Sequence, residues 1–222
     1  MVAPSILSAD FANLGAEIKR VEQGSADFIH VDVMDGHFVP NLTIGAPVVK
    51  ALRKTTELPL DCHLMIEDPD LYLADFASAG ATYLTVHVEA CVHLNRTLTE
   101  IRRLGMQPGV ALNPATPPEH LRYLLHDLVF LLVLSVTPGF AAQTFIRSSV
   151  DKIKEIRSML TAANREDVII SVDGGINCDT ARQVAAAGAN LVVAGKSVYG
   201  AADPAAAIRE LKSCGEKAAG AK

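Results

Sequence analysis

The stretch His30-Val31-Asp32-Val33, continued by Met34-Asp35-Gly36, alternates side chains that can bind a metal or move a proton with valines that can do neither. Along an extended strand, residues i and i+2 share a face. His30, Asp32 and Met34 therefore point one way, and Val31 and Val33 the other. The same parity groups Asp61 with His63 and Met65, His87 with Glu89, and Ser171 with Asp173. Aliphatic faces suit packing against helices, which turns the polar faces inward. A lone histidine or aspartate at a strand end is ordinarily a satisfied structural residue. Several converging ones are a different matter, because each buried charge costs several kcal/mol unless it is paired or bound to a metal.

Together, His30, Asp32, His63 and Asp173 offer two imidazoles and two carboxylates. That donor set suits one divalent first-row ion per chain, with zinc, iron, manganese and cobalt as the candidates. No thiolate joins it, which argues against a closed structural zinc site. Two aspartates on different strands, Asp32 and Asp173, also supply the acid and base that inversion at a carbon requires. One takes a proton from one face and the other returns a proton to the opposite face. A bound ion would offset the charge of the enediolate formed between those steps. Met34 and Met65 would wall that intermediate with apolar, polarizable surface. His37, His93, His120 and His126 fall in loops or helices and read as surface residues.

Such a set needs strands whose ends converge. Short apolar runs alternate with amphipathic stretches along the chain, the pattern of βαβ units and a parallel sheet. Gly24, Gly80, Gly105 and Gly188 each precede one of the runs, where a glycine stops a helix. Their spacing fits a unit of roughly 28 residues repeated eight times, a (β/α)8 barrel over residues 1–222 as one domain. Strands are expected near residues 3–8, 28–33, 59–65, 83–89, 107–112, 129–136, 168–173 and 190–195. Expected helices include 13–22, 46–54, 95–104, 148–162 and 203–214. A doubly wound open sheet would carry its phosphate loop early, whereas the glycine-rich turns here come late. Asp173-Gly174-Gly175-Ile176 follows the seventh strand and Gly195-Lys196-Ser197 the eighth, where barrels hold a phosphate on backbone N–H groups. Pro138-Gly139-Phe140-Ala141-Ala142-Gln143 follows the sixth and reads either as a lid over the substrate or as an ordinary connecting loop.

Composition sets limits on partners. Half the residues are hydrophobic, aromatics make up 5% and tryptophan is absent, so the core is expected to be aliphatic. The net charge of −5, with no basic block, argues against a nucleic-acid partner. The apolar run Leu128–Leu134 is too short to cross a bilayer. The four cysteines, Cys62, Cys91, Cys178 and Cys214, form no CxxC pair and read as free thiols of a reducing compartment. The expected location is the cytoplasm.

The chain resembles the ribulose-phosphate 3-epimerase family over nearly its whole length. The resemblance is carried by Ala3-Pro4-Ser5-Ile6-Leu7, by His30 through Asn41, and by His63-Leu64-Met65. Leu112-Asn113-Pro114-Ala115-Thr116, Ser135-Val136-Thr137-Pro138-Gly139-Phe140 and Val172-Asp173-Gly174-Gly175 extend it. It implies metal ligation by His30, Asp32, His63 and Asp173, with Asp32 and Asp173 as the two-base pair. Substrate contacts are implied for Ser5, His63, Gly139, Phe140, Ala141 and Ala142, and for Asp173, Gly174, Gly175, Gly195 and Lys196. It further implies epimerisation at C3 between D-ribulose 5-phosphate and D-xylulose 5-phosphate, as in the pentose phosphate pathway or Calvin cycle, by a homo-oligomer (dimer or hexamer). An epimerase of hexulose phosphates would keep the same metal and bases and stays open. Decarboxylases on similar barrels resemble an Asp-x-Lys-x-x-Asp pattern, and Asp32-Val33-Met34-Asp35 lacks the lysine. The chain departs from the family at Thr137, Ala141 and Ala142 in place of Asn and two glycines, at Lys196 in place of Ser, and at Leu134 in place of Met.

Overall fold

The computed structural model describes residues 1–219. Eight strands alternate with helices: β1 (Val2–Pro4), α1 (Leu14–Glu22), β2 (Ile29–Met34), α2 (Ala46–Arg53), β3 (Leu60–Met65), α3 (Leu73–Ala79), β4 (Tyr83–His87) and α4 (Leu94–Arg103). The second half continues with β5 (Gln107–Leu112), β6 (Phe130–Leu134), α5 (Ser149–Ala162), β7 (Ile169–Asp173), α6 (Cys178–Ala187), β8 (Leu191–Ala194), α7 (Lys196–Tyr199) and α8 (Pro204–Ala219). All ladder pairs are parallel, in the order β1-β8-β7-β6-β5-β4-β3-β2. A single bridge between Ser5 and His30 joins β1 to β2 and brings the two edges together as a barrel.

The expected strands match within a few residues, with instructive exceptions. The first ends at Pro4, since Ile6–Ser8 forms a 3-10 turn capped by the Ser5 hydroxyl, which accepts from the Leu7 N–H. Between β5 and β6 the only helical element is the short 3-10 turn Pro118–Leu121. Gly80, Gly105 and Gly188 take positive φ at helix ends as anticipated, but at the end of α1 Ser25 does so (φ 61°) and Gly24 does not. Gly24 is needed for space instead, because a Cβ there would come 2.8 Å from the Ala205 backbone.

Burial follows the strand parity. Val31, Val33, Leu64, Val86, Val133 and Val172 face outward and pack in one apolar layer with helix residues such as Ile18, Leu98, Ile153 and Val184. Each such side chain contributes about 1.5–3 kcal/mol by leaving water. The barrel floor departs from the aliphatic expectation. Phe28, Tyr83 and Phe130 meet there, with ring centroids 5.3–6.4 Å apart, beside Leu132, Leu191 and Val193. Three rings plug the bottom, which leaves the polar positions one layer up free to serve the mouth. The expectation of four free thiols is corrected: Cys178 at the start of α6 and Cys214 in α8 form a disulfide with Cα atoms 5.6 Å apart. Cys62 and Cys91 remain free. Among the described residues no helix is long and apolar enough to cross a membrane.

Candidate active site

Register decides which polar side chains meet. The β2–β3 ladder sets His30 beside Asp61, Asp32 beside His63 and Met34 beside Met65. Asp173 arrives from the end of β7. The ligand-capable atoms of His30, Asp32, His63 and Asp173 all lie within 4.8 Å of one another. The first three residues are buried, and Asp173 is partly open to solvent.

Hydrogen bonds fix which atoms look inward. His30 Nδ1 lies 2.7 Å from Asp61 Oδ2, and its Nε2 lies 3.2 Å from Asp32 Oδ1. His63 Nδ1 lies 3.0 Å from the same Asp32 oxygen, and its Nε2 lies 2.8 Å from His87 Nε2. The other oxygen of Asp32 accepts from the Ser5 hydroxyl at 2.6 Å. His30 Nε2, His63 Nδ1 and an Asp32 oxygen therefore converge, while the outer nitrogens are held by further protein groups. Ligating histidines are characteristically oriented in this way by a carboxylate behind them. The donor set, its closeness and the Asp61 backing fit a divalent cation.

The two aspartates are pushed in opposite directions. Burial would raise Asp32, but the charge of His30 and the hydrogen bonds from His30 and His63 outweigh it, holding the carboxyl far below the usual range. Burial and the negative charge of Asp32 push Asp173 up to about 7. Burial tends to discharge His30 as well, yet Asp32 and Asp61 overcome it and raise its basicity, whereas for His63 burial wins and lowers it to about 4. Two carboxyl groups in one site are thus set far apart in acidity.

These groups open on a cleft of roughly 630 Å³, its mouth included. Met34, Met65 and Leu134 form an apolar side of it. Ser5 and Asp173 reach it, as do Gly139, Phe140, Ala141 and Ala142 of the loop after β6. Gly174, Gly175, Gly195 and Lys196 close the remaining side. His63 does not line the cleft; it is fully buried and meets it through Asp32. His37, His93, His120 and His126 are exposed.

The turn after β7 demands its glycines. Gly174 and Gly175 hold φ of 116° and 65°, and a Cβ would come within 2.4 Å of Val136 and 2.8 Å of the Phe145 nitrogen. Backbone alone can therefore face the cleft there. The loop after β6 is tied at both ends. Asn41 Nδ2 donates to the Gly139 carbonyl at 3.0 Å, and Gln143 Nε2 donates to the carbonyls of Thr137 and Phe140. Ala142 sits at φ 61°, a left-handed conformation unfavourable for a residue with a side chain. Sequence reasoning put Asp61, His87 and Glu89 on the inward faces but gave them no role. It also passed over Ser8, which lines the cleft; nothing in its local sequence singles it out.

Residues 1–199 match the profile of the ribulose-phosphate 3 epimerase family. The chain is 56% identical to the ribulose-phosphate 3-epimerase of Bacillus subtilis, over 95% of this chain and 97% of that one. It is 49% identical to the chloroplastic ribulose-5-phosphate-3-epimerase of Arabidopsis thaliana, over 99% of this chain and 78% of that one. Among solved structures, a 3-hexulose-6-phosphate synthase superposes with a TM-score of 0.69 at 24% identity, covering 96% of this chain and 97% of that one. Orotidine 5'-phosphate decarboxylase from Pyrococcus horikoshii gives a TM-score of 0.68 at 18% identity, covering 98% and 99%. At those identities the structural likeness speaks to the barrel alone.

Proposed function

The chain belongs to the ribulose-phosphate 3-epimerase family, and from that premise we propose that it interconverts D-ribulose 5-phosphate and D-xylulose 5-phosphate by a two-aspartate mechanism. One observation carries the reading. Two imidazoles and two carboxylates from β2, β3 and β7 bring ligand atoms within 4.8 Å of one another at the mouth of the barrel.

Asp32 is the base in one direction. It is ionised, and Ser5, His30 and His63 hold its carboxylate in place. It takes the C3 proton from one face, giving an enediolate, and Asp173 returns a proton to the other face. In reverse the roles exchange, so each direction starts with one carboxylate charged and the other protonated. Met34, Met65 and Leu134 keep water from the planar intermediate on their side of the cleft. The N–H groups around Gly174, Gly175 and Gly195 take the phosphate, at the N-terminus of the short α7 and with Lys196 beside them. His30, Asp32, His63 and Asp173 would hold one divalent ion, zinc, iron, manganese or cobalt. When bound, such an ion polarises the substrate carbonyl and offsets negative charge on the neighbouring oxygens. Exposed Leu42, Leu71 and Val92, in loops following β2, β3 and β4, support a homo-oligomer, which sedimentation would test.

The test couples metal analysis with an epimerisation assay on ribulose 5-phosphate. Purified protein should carry about one divalent ion per chain, lose turnover on verified metal removal and regain it on readdition. In D2O, product should acquire deuterium at C3 and nowhere else. Full activity without metal, or no exchange at C3, would overturn the reading.

A further inference from the structure

The inner nitrogens of His30 and His63 are presented to the same centre, but their outer nitrogens are held in different ways. His30 is backed directly by Asp61, which is fully buried. His63 is backed by a second histidine, and that histidine by a carboxylate at the surface. His63 Nε2 lies 2.8 Å from His87 Nε2, and His87 Nδ1 lies 3.0 Å from Glu89 Oε2. The other oxygen of Glu89 accepts from the Asn113 N–H at 2.9 Å and from the Thr116 hydroxyl. That segment is anchored by Lys152 Nζ, which donates to the carbonyls of Asn113 and Pro114.

A neutral imidazole carries one proton and one lone pair, so along such a chain each ring passes on the direction set by its neighbour. Two ring nitrogens 2.8 Å apart can share only one proton between them. Glu89, taking hydrogen bonds on its other oxygen, offers His87 an acceptor only. His87 then carries its proton on Nδ1 and presents a lone pair at Nε2. His63 must place its own proton on Nε2, which leaves the lone pair of Nδ1 facing the centre.

We propose that Glu89, acting through His87, is a positioning residue that fixes the tautomer of His63 in which Nδ1 is free to bind the metal. The inference rests on the reading of His63 as a ligand. It makes the loop after β5, which supplies Asn113 and Thr116, part of the support of the metal centre. The carboxylate of Glu89 is held down to about 2, where burial is outweighed by the hydrogen bonds from His87, Thr116 and Asn113. It is therefore an acceptor throughout the neutral range.

The test compares Glu89→Gln with Glu89→Ala in the full-length protein, using Zn²⁺ as the probe. In Glu89→Gln, an amide oxygen turned to the Asn113 N–H points the amide nitrogen at His87. That reverses the whole chain and puts a proton on His63 Nδ1. In Glu89→Ala, water at this partly exposed position can accept from His87 and keep the direction. Chelator competition should therefore find Zn²⁺ affinity lowered about 10–100-fold by Gln and only a few-fold by Ala. Thermal unfolding of the metal-free proteins should rank them the other way, since Gln keeps the side-chain volume. A merely structural role would make Ala the worse variant in both measurements, and that result would overturn the proposal.

Ring ¹⁵N spectra of the zinc-loaded wild type test it without any variant. They should show zinc on His63 Nδ1 and the proton of His87 on Nδ1; zinc on His63 Nε2, or a proton on His87 Nε2, would overturn it. Failure of the underlying reading is told apart by His63→Phe. If that variant binds Zn²⁺ like the wild type, His63 is no ligand and both readings fall. If it loses Zn²⁺ while Gln and Ala are alike, the relay alone falls.

Discussion

The two sides of the barrel mouth are built on opposite plans. On the β2–β4 side, side chains rooted in strands hold one another: His30 to Asp61, His63 to Asp32 and His87, Ser5 to Asp32. Every one of these residues is buried. On the β6–β8 side, the cleft is bounded by loops that present backbone, with Gly174 and Gly175 at positive φ and Ala142 held in a conformation that suits glycine. Groups that must be placed to a fraction of an ångström sit on rigid strands supported from behind. The groups proposed to surround the phosphate, and to let it go, sit on turns.

The largest effect is expected where the two sides meet, at Asp32 on β2 and Asp173 at the end of β7. Asp32→Asn and Asp173→Asn should each lower turnover in both directions by about 10³-fold or more, measured with ribulose 5-phosphate and with xylulose 5-phosphate. Wild-type rates in either direction for either variant would show that the aspartates do not act as a pair.

A large effect on stability is expected from the loop side, where the disulfide Cys178–Cys214 ties the start of α6, just beyond the Gly174-Gly175 turn, to α8. Cys178→Ser should cost about 2–4 kcal/mol in chemical unfolding, because the open chain regains loop entropy. Turnover at low temperature should change little.

The pH dependence of the metal-free protein separates the two sides again. Asp173 has a folded-state pKa of about 7, raised by burial and by Asp32 from an ordinary 3.8. Between those values Asp173 binds more proton in the folded state than in the unfolded, so its own contribution to stability falls as pH rises, while that of His63, lowered to about 4, rises. Asp173→Asn should remove that falling contribution and leave the rising one, and the variant should be the more stable of the two metal-free proteins above pH 7. Parallel wild-type and Asp173→Asn profiles over this window would contradict the assignment.

The smaller effects lie in the loops. Lys196→Ser should raise KM a few-fold, more at low ionic strength where the exposed ammonium is less screened. kcat should hold, since the phosphate contact differs little between ground and transition states. A KM unchanged across salt would place Lys196 outside the phosphate site. Ala142→Gly should relieve about 1 kcal/mol of left-handed strain locally and make the loop more mobile, seen as faster amide exchange over residues 139–143.

What the sequence made legible follows the same division. Parity alone turned His30, Asp32 and His63 inward, because an extended strand leaves a side chain two directions and the valines occupied one. Which inward residues touch is a matter of register, and register joins strands some thirty residues apart. Asp61 and His87 could thus be seen on the correct face without their partners being visible. The disulfide was beyond reach for a related reason: Cys178 and Cys214 lie 36 residues apart on two different helices, and nothing local pairs them. Three aromatic rings at the barrel floor were hidden by a composition that is aliphatic nearly everywhere else.

The barrel wall has one thin seam. Where other neighbours share ladders of three to six residue pairs, β1 and β2 meet through the lone Ser5–His30 bridge. Beside it, the Ser5 hydroxyl reaches across to Asp32. The contact that closes the wall is thus made by residues that also hold Asp32, the proposed base. Loosening this seam would therefore disturb the closure of the barrel and the placement of the Asp32 carboxylate together.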